Sequence, residues 1–436
     1  MSEVIFKNSG KPLSGNVILP CSKSAAHRAI LCAALAGKDC VLSNFYMNKD
    51  MEATLRAVSC LGNVSYIYLK QDKKLILKKE QDIQRNDAAV NCGESGSTLR
   101  FVIPIFAALG VPATFTGKGR LPGRPIGIYE TLLKKHDVSV KAEGGLPFSI
   151  TGKLSGGVYA LPGNISSQFI TGLLFALPLC SENSEIQLTS RLESKGYIDL
   201  TISVLKDFGI GIQEMPNGYK IEGNQRYIAR DFVVEGDWSH AAFFLSIAAV
   251  SGGEICLSGL KEDSLQGDRA CAELYGNFGV EIKFENGVLT VRNPNTDKPY
   301  RGLKAQKIDG AQIPDLIPAL AVCGAFAEGT TEIYNAERLR IKESDRLAAM
   351  AAAIHALGGI VEETRDGLRI TGVQNLSGGQ ANGENDHRIL MSLSAAVCGS
   401  MGDIIVSDAE SVEKSYPHYY KDYKKLGGTA DVVNMG

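Results

Sequence analysis

Residues 93–109 read GESGSTLRFVIPIFAAL, a short polar cluster that runs directly into an apolar segment of helical length. Five further stretches repeat this pattern at intervals of about seventy residues. Each cluster supplies Ser, Asp, Asn or Gly where the first backbone N–H groups of a helix need a partner, which predicts six helix N-termini. Because these helices are apolar on every side, we expect them to be buried. The other five clusters are Ser22-Lys23-Ser24, Ser166-Ser167-Gln168, Asp237-Trp238-Ser239-His240, Ile313-Pro314-Asp315 and Asn385-Asp386-His387-Arg388.

A second feature recurs with the same period. More amphipathic stretches end at a pair that has glycine second, and lead towards strand-like segments such as Glu185–Leu188 and Glu254–Leu257. We therefore predict an α/β protein of six like units, three in each of two domains, because 436 residues exceed what one core usually holds. The closing pairs are Leu61-Gly62, Phe208-Gly209, Phe278-Gly279, Leu357-Gly358, Leu426-Gly427 and the variant His136-Asp137, which lacks the glycine.

The composition is that of an ordinary globular protein, with 44% hydrophobic and 22% charged residues and a formal net charge of −2. Lys and Arg are scattered and aromatic residues make up only 7%, which argues against a nucleic-acid surface. The ten cysteines form no CxxC pair, so neither a zinc site nor a redox pair is predicted. Several lie inside apolar helices and are interpreted as small buried hydrophobes; they include Cys32, Cys323 and Cys398. Met1–Gly10 lacks the pattern of a signal peptide and no apolar run has membrane-spanning length, which predicts a cytoplasmic protein without a membrane partner.

Cations lie at or near the predicted helix starts and in loops. A helix N-terminus itself favours anions, so a cation there is locally unfavourable unless an anion compensates for it. Isolated surface charges would explain each of them singly, but their repetition at equivalent points favours a site for anionic ligands. Among the carboxylates, Asp315 could act either as a helix cap or in chemistry, and Glu343 either in a surface ion pair or in acid–base chemistry, whereas Asp237 and Asp386 are interpreted as caps. The cations are Lys23, Arg28, Arg100, Arg124, Lys342, Arg346, Arg388 and Lys414.

At these residues the chain resembles the 5-enolpyruvylshikimate-3-phosphate synthase family of enolpyruvyl transferases. The resemblance spans nearly the whole chain. It implies two similar domains, each of three βαβαββ-type repeats with buried helices in an inverse α/β barrel arrangement, and ligands in the cleft between them. One domain would comprise residues 1–20 and 235–436, and the other residues 21–234. The motifs are Ser22-Lys23-Ser24 with Arg28, Gly96 with Arg100, 123–127, 166–168, 194–199, 313–315, 342–346, 385–388 and 414–417.

The resemblance also implies transfer of the enolpyruvyl group of phosphoenolpyruvate to the 5-hydroxyl of shikimate 3-phosphate, with release of phosphate, as the activity of a 3-phosphoshikimate 1-carboxyvinyltransferase. Lys23, Asp315 and Glu343 are the expected proton-transfer residues, and no metal or organic cofactor is expected. The implied ligands of shikimate 3-phosphate are Ser24, Arg28, Ser166, Ser167, Gln168, Ser194, Tyr197, Asp315 and Lys342. Those of phosphoenolpyruvate are Lys23, Gly96, Arg124, Arg346, Arg388 and Lys414.

Two alternatives remain at this point. One is the related UDP-N-acetylglucosamine enolpyruvyl transferase, whose reactive loop cysteine is missing from Val111–Arg124. The other is a non-catalytic repeat scaffold that binds a polyanion.

The chain departs from the common family pattern at Glu94 and at Phe101. We expect Glu94 to weaken phosphoenolpyruvate binding unless its carboxylate is paired or points away. Family members are targets of glyphosate, and Gly96 leaves room for it, so we expect inhibition. We also expect a monomer.

Overall fold

The computed structural model describes residues 2–142 and 144–434. Met1, Glu143, Met435 and Gly436, which belong to the predicted domains, lie outside the described residues. The chain divides into two compact units, one formed by the chain up to Pro20 and from Gly236 onward, the other by Cys21–Glu235. We call them the terminal unit and the central unit. Each has its own hydrophobic core.

The twelve α-helices alternate between two kinds. The helices are α1 Lys23–Leu35, α2 Lys49–Ser59, α3 Gly96–Leu109, α4 Gly127–Lys134, α5 Ser167–Ala176, α6 Lys195–Asp207, α7 Trp238–Ser251, α8 Cys271–Phe278, α9 Ile317–Gly324, α10 Arg346–Ala356, α11 His387–Ala396 and α12 Tyr419–Lys425, counted over the described residues. The odd-numbered helices are the six predicted from the polar clusters, and they are buried almost throughout, as expected; every residue of α7 is buried.

Short strands occupy the spaces between helices. They are β1 Ser2–Lys7, β2 Gly15–Ile18, β3 Cys40–Ser43, β4 Val64–Leu69, β5 Lys74–Lys79, β6 Ala88–Asn91, β7 Ala113–Thr116, β8 Val138–Lys141, β9 Phe148–Gly152, β10 Gly157–Leu161, β11 Ser184–Leu188, β12 Ile212–Met215, β13 Gly218–Ile221, β14 Phe232–Val233, β15 Glu254–Ser258, β16 Glu281–Glu285, β17 Val288–Arg292, β18 Lys307–Asp309, β19 Thr330–Tyr334, β20 Ile360–Glu363, β21 Leu368–Thr371, β22 Gly379–Ala381, β23 Ile404–Ser407 and β24 Thr429–Asn434. Within the described residues they form six four-stranded sheets.

All six sheets have one topology. In the repeat that contains residues 93–109, the order along the chain is β6, α3, β7, α4, β8 and β9, and the sheet order is β6-β7-β9-β8. The first pair is parallel, because a helix crosses between its strands, and the other two pairs are antiparallel. The predicted unit of helix, strand, helix and strands is therefore confirmed as βαβαββ.

Three sheets, one in the central unit and two in the terminal unit, are completed by distant segments of chain. In the terminal unit, β2 pairs parallel with β15 and completes the first repeat. The N-terminal strand β1 pairs antiparallel with β23 and β24 and so completes the last repeat of the terminal unit. The short strand β14 pairs parallel with β3 and completes the first repeat of the central unit. Near the boundary of the units, the Ser22 amide donates to the Glu235 carbonyl at 2.7 Å and the Asp237 amide to the Pro20 carbonyl at 3.1 Å.

The helix ends follow the predicted chemistry. The caps Ser22, Ser95, Ser166, Asp237 and Asp386 each accept a backbone N–H at the start of a buried helix. After the even-numbered helices the backbone turns left-handed at the second residue of every closing pair, with φ from 63° at Asp137 to 97° at Gly279. Asp137 shows that an aspartate can take the place of the glycine.

The cap interpretation fails at one helix. Helix α9 begins at Ile317 without a side-chain cap, so Asp315 is not its N-cap. The cysteine interpretation holds for Cys32 and Cys323, which are buried, whereas Cys398 is only partly buried. All ten cysteines are free thiols.

Candidate active site

In the central unit, the start of α1 carries a paired lysine. Lys23 is the first residue of α1, and its Nζ lies 3.0 Å from Oδ2 of Asp50 in the first turn of α2. Both side chains are largely buried, with 13% and 11% of their surface exposed. A cation at a helix N-terminus opposes the helix dipole, and here a carboxylate of the protein compensates for it.

Arg28 joins α1 to α6. Its Nε donates to Oγ1 of Thr201 at 2.8 Å, its Nη1 to the Ser24 carbonyl at 2.7 Å and its Nη2 to the Tyr197 carbonyl at 2.8 Å. Burial lowers the pKa of Arg28 to about 10, so the guanidinium stays charged at neutral pH. The fold thus brings three of the predicted shikimate 3-phosphate ligands, Ser24, Arg28 and Tyr197, into one cluster. Ser194, buried just before α6 with φ 56°, belongs to the same helix start.

Arg100 joins α3 to α5. Its Nη1 donates to Oε1 of Gln168 at 2.7 Å and its Nη2 to the Pro125 carbonyl at 2.8 Å. Nε2 of Gln168 in turn donates to Oγ of Ser97 at 2.9 Å. Gln168 therefore has a fixed orientation at the start of α5, next to the cap Ser166 and the buried Ser167.

Gly96, the first residue of α3, lies against a predicted phosphoenolpyruvate ligand. A Cβ built on Gly96 would be 2.7 Å from Nη1 of Arg124, whose side chain is largely buried. Close approach of this guanidinium to the start of α3 therefore requires glycine at position 96. Glu94 packs on the neighbouring loop, since a Cβ on Gly119 would lie 2.9 Å from its Oε2.

In the terminal unit, one arginine holds three carboxylates. Arg346 begins α10, is only 1% exposed, and donates from Nε to Asp386 at 2.8 Å, from Nη1 to Asp315 at 2.9 Å and from Nη2 to Glu343 at 2.8 Å. Burial alone would lower the pKa of Arg346, but the carboxylates of Asp386, Glu343 and Asp315 raise it, so the group remains a cation. This network brings the predicted residues Asp315, Glu343 and Arg346 together.

Arg388, the second residue of α11, contacts the same carboxylate from another side. Its Nη2 donates to Oδ2 of Asp315 at 2.8 Å and to Oγ of Ser239 at 3.2 Å. Burial raises the pKa of Asp315, but Arg388, Arg346 and Lys342 lower it more, and the net direction is downward. Asp315 is therefore a carboxylate at neutral pH. It lies between two guanidinium groups and is 18% exposed.

Lys342 is the titratable group of this cluster. Burial lowers its pKa to about 7; Asp315 and Glu343 act against that effect, and Arg338 and Arg346 add to it. The last predicted cation of the unit, Lys414, donates from Nζ to the Asn385 carbonyl at 2.6 Å, directly before the cap of α11. Lys342, Lys414, Arg346 and Arg388 thus gather around the starts of α10 and α11.

Sequence reasoning missed two positioning carboxylates. Asp50 pairs with Lys23, and Asp386 both caps α11 and accepts hydrogen bonds from Arg346 and from Oγ of Ser344 at 3.0 Å. Asp386 carried a sequence signal, because it directly precedes a helix start, but that signal indicated only the cap. Asp50 lies in the first turn of a helix, where acidic residues are common, and nothing local indicates its partner.

Two further properties of the described residues concern metal ions and membranes. In residues 2–142 and 144–434, no group of three or more His, Cys, Asp and Glu side chains is arranged to hold a metal ion. Over the same residues, every helix is too short or too polar to cross a bilayer.

Comparison with known proteins agrees with this architecture. Residues 7–423 match the family model of EPSP synthase (3-phosphoshikimate 1-carboxyvinyltransferase). The chain is 44% identical to the 3-phosphoshikimate 1-carboxyvinyltransferase of Clostridioides difficile strain 630, over 97% of this chain and 98% of that protein. It is 41% identical to the protein of the same name from Clostridium novyi strain NT, over 97% and 98%.

A solved structure shares the fold. EPSP synthase from Acinetobacter baumannii superposes with a TM-score of 0.83 at 25% identity, with all of both chains covered. The match of the family model over nearly the whole chain, together with relatives above 40% identity, identifies the family. The chain belongs to the EPSP synthase (3-phosphoshikimate 1-carboxyvinyltransferase) family.

Proposed function

We propose that this protein transfers the enolpyruvyl group of phosphoenolpyruvate to the 5-hydroxyl of shikimate 3-phosphate and releases phosphate, the reaction of its family. The observation that carries the proposal is the network in which Arg346 and Arg388 hold the carboxylate of Asp315, with Glu343 on the same arginine. It combines fixed positive charge for anionic substrates with carboxylates that are able to move protons.

We assign the substrate contacts as follows. Shikimate 3-phosphate is held by hydroxyl, amide, carboxylate and cationic groups. Phosphoenolpyruvate is held by cations and by the backbone at Gly96. The first set is Ser24, Arg28, Ser166, Ser167, Gln168, Ser194, Tyr197, Asp315 and Lys342. The second set is Lys23, Gly96, Arg124, Arg346, Arg388 and Lys414.

The chemistry requires proton transfers in both the addition step and the elimination step. In the addition step, a proton goes to the methylene carbon of phosphoenolpyruvate, the 5-hydroxyl oxygen bonds to C2, and the hydroxyl proton is removed. The resulting tetrahedral intermediate carries the phosphate on C2. Elimination removes a proton from the new methyl group and breaks the C2–O bond to phosphate. We assign these transfers to Lys23, Asp315 and Glu343, with Asp315 as the acceptor of the hydroxyl proton because it is a carboxylate at neutral pH and is partly exposed.

The arginines contribute electrostatically. Phosphate gains negative charge as it leaves, and preorganised guanidinium groups stabilise such charge without moving. Every step is a proton transfer, an addition to C2 or an elimination from C2, so we propose no metal or organic cofactor. We further propose that the protein works in the cytoplasm, where its ten free thiols would stay reduced, and that it works as a monomer.

The direct test measures phosphate released from phosphoenolpyruvate in the presence of shikimate 3-phosphate. We expect turnover that requires both substrates. Replacing shikimate 3-phosphate by UDP-N-acetylglucosamine separates this activity from that of the related transferase, and turnover only with the nucleotide sugar would reject the proposal.

A non-catalytic scaffold would tolerate the loss of the Asp315 carboxylate, whereas the proposed enzyme would not. If Asp315 is the base, Asp315→Asn loses at least about 100-fold in kcat while shikimate 3-phosphate binding is retained within about tenfold. Arg346→Lys keeps the positive charge but cannot donate to Asp386, Asp315 and Glu343 at once. It is therefore the matched variant that tests how much the positioning of these carboxylates contributes. Wild-type phosphate release in Asp315→Asn would remove the assigned base.

A further inference from the structure

The chain between β19 and α10 carries two of the residues assigned above. It comprises residues 335–345, which we call the connecting segment, and it contains Lys342 and Glu343. It includes the 3-10 helix Glu337–Ile341, and its last residue, Asp345, is the N-cap of α10. Outside a regular helix or strand, a side chain such as Glu343 keeps its position through the contacts that fix the chain around it.

The upstream end of the connecting segment is fixed by backbone groups. The Asn335 amide donates to Oδ2 of Asp366 at 3.0 Å, and the Ala336 amide donates to the Asp366 carbonyl at 2.7 Å. Asp366 lies in the turn between β20 and β21, residues 364–367. The segment therefore begins on the surface of this turn.

Arg340 binds the same turn further along the segment. Its Nε donates to the Arg365 carbonyl at 3.1 Å, and its Nη2 donates to the Thr364 carbonyl at 2.7 Å. Its Nη1 donates to Oε1 of Glu363, the last residue of β20, at 2.6 Å. Three nitrogens of one planar guanidinium thus bind one hairpin end, a geometry that an ammonium group cannot reproduce.

The same guanidinium reaches the start of α10. Nη1 of Arg340 lies 3.1 Å from Oδ2 of Asp345. Oδ1 of Asp345 in turn accepts the Ala348 amide at 3.1 Å as the cap of α10. The side chains of Arg340 and Asp345 are 28% and 32% exposed, so solvent screens this ion pair only in part. Arg340 therefore joins the turn at 364–367 to the first turn of α10, and the residues between Arg340 and Asp345 are held at both ends.

These intervening residues, 341–344, contain the groups that the proposed reaction uses. Glu343 accepts from Nη2 of Arg346 at 2.8 Å, and Ser344 donates from Oγ to Asp386 at 3.0 Å. Such contacts orient the side chains, whereas Arg340 fixes the backbone that carries them. Because a displacement of about 1 Å can cost about 100-fold in rate, the placement of this backbone affects turnover.

We propose that Arg340 is a positioning residue, which holds Lys342 and Glu343 in place for substrate binding and proton transfer. It acts through these two residues and is not itself assigned to a substrate. The proposal rests on the proposed function. A wild type without phosphate release would reject that function, whereas an active wild type with an equally active Arg340→Gln variant would reject only the role of Arg340.

Hydrogen–deuterium exchange of the full-length protein measures the order of the connecting segment without any substrate. We expect the amides of residues 341–345 to exchange at least about tenfold faster in Arg340→Gln than in the wild type, since the turn and the helix cap lose their common partner. Arg369→Gln is the matched control, because Arg369 lies on β21 of the same hairpin and pairs with the exposed Glu362 at 3.8 Å. Wild-type exchange is expected in this control.

Steady-state kinetics distinguish positioning from a loss of stability. In Arg340→Gln we expect kcat to fall at least about tenfold and the KM for shikimate 3-phosphate to rise about three- to tenfold. The KM for phosphoenolpyruvate is expected to stay within about twofold, because Arg346 keeps its contacts with Asp386 and Asp315. Arg340→Lys keeps the charge and one of the contacts, so we expect partial recovery of kcat. Arg369→Gln is expected to show wild-type kinetics.

Three results would overturn the proposal. One is exchange of residues 341–345 that is as slow in Arg340→Gln as in Arg369→Gln. Another is wild-type kcat together with a wild-type KM for shikimate 3-phosphate in Arg340→Gln. The third is a loss of activity that matches the unfolded fraction measured by circular dichroism, with both KM values unchanged, which would mean that Arg340 only stabilises the fold.

Discussion

At the level of single residues, Lys342 connects the structure to a measurable pH dependence. In the free protein burial lowers its pKa to about 7, and a bound phosphate favours the charged form and raises it again. Below about pH 7 the amine is already protonated, so binding takes up no proton there. Above that pH binding must protonate Lys342, and we expect the KM for shikimate 3-phosphate to rise, by up to about tenfold per pH unit. Lys342→Arg stays charged and is expected to keep KM nearly constant from about pH 7 to about pH 9; a wild-type KM that is equally constant would contradict the assignment.

Gly96 provides a second prediction at this scale. Because a Cβ here would lie 2.7 Å from Nη1 of Arg124, Gly96→Ala displaces that guanidinium. We expect a higher KM for phosphoenolpyruvate, by about tenfold or more, and weaker inhibition by glyphosate, which we propose competes for the same position. Gly123→Ala is the control, since a Cβ there meets no atom within 4 Å. Uninhibited wild-type turnover at saturating glyphosate would reject the inhibitor part of the proposal.

Glu94 illustrates what a local pattern leaves open. Its position predicts weaker phosphoenolpyruvate binding, and the structure packs its carboxylate against Gly119. If the Glu94 carboxylate repels bound phosphoenolpyruvate, Glu94→Gln lowers the KM for phosphoenolpyruvate about two- to fivefold. Steady-state kinetics at low salt measure this effect, and an unchanged KM would mean that solvent and neighbouring groups screen the carboxylate.

At the level of elements, Asp386 combines two functions at the start of α11. Asp386→Ala removes both the cap and the partner of buried Arg346, and we expect a loss of about 2–4 kcal/mol in the free energy of unfolding. Asn48→Ala removes the cap of α2 without breaking an ion pair and is expected to cost about 1 kcal/mol. Asp386→Asn keeps the cap but not the charge, so it isolates the contribution of the Arg346 pair. Denaturant unfolding measures all three, and equal losses for Asp386→Ala and Asn48→Ala would mean that the ion pair contributes little.

Helix starts and ends were predictable because their signals are local. A cap such as Ser95 acts within three residues, and Gly279 ends a helix through its own backbone conformation. The pairing of β1 with β23 and the contact of Asp50 with Lys23 join segments that are far apart or carry no distinctive pattern. Asp315 was ambiguous for the same reason, since its partners Arg346 and Arg388 lie 31 and 73 positions away in the sequence.

At the level of the whole molecule, six copies of one βαβαββ unit place charged groups at the starts of several helices. Because the helix dipole disfavours a cation at a helix N-terminus, a cation there predicts a nearby anion. Lys23, Arg346 and Arg388 each have a carboxylate of the protein within 3.0 Å. Local electrostatics alone therefore do not demand an external ligand. The functional assignment depends on the combination of these pairs with the family match.

The most direct test of the account is to run the reaction in D₂O and analyse the product by mass spectrometry. Addition followed by elimination passes through a methyl group that has gained one solvent proton, and the proton lost afterwards can be either an original or a solvent one. We therefore predict the enolpyruvyl ether of shikimate 3-phosphate with deuterium in its vinyl methylene group. A product without deuterium would contradict the addition–elimination mechanism, and the absence of any enolpyruvyl ether would contradict the proposed function itself.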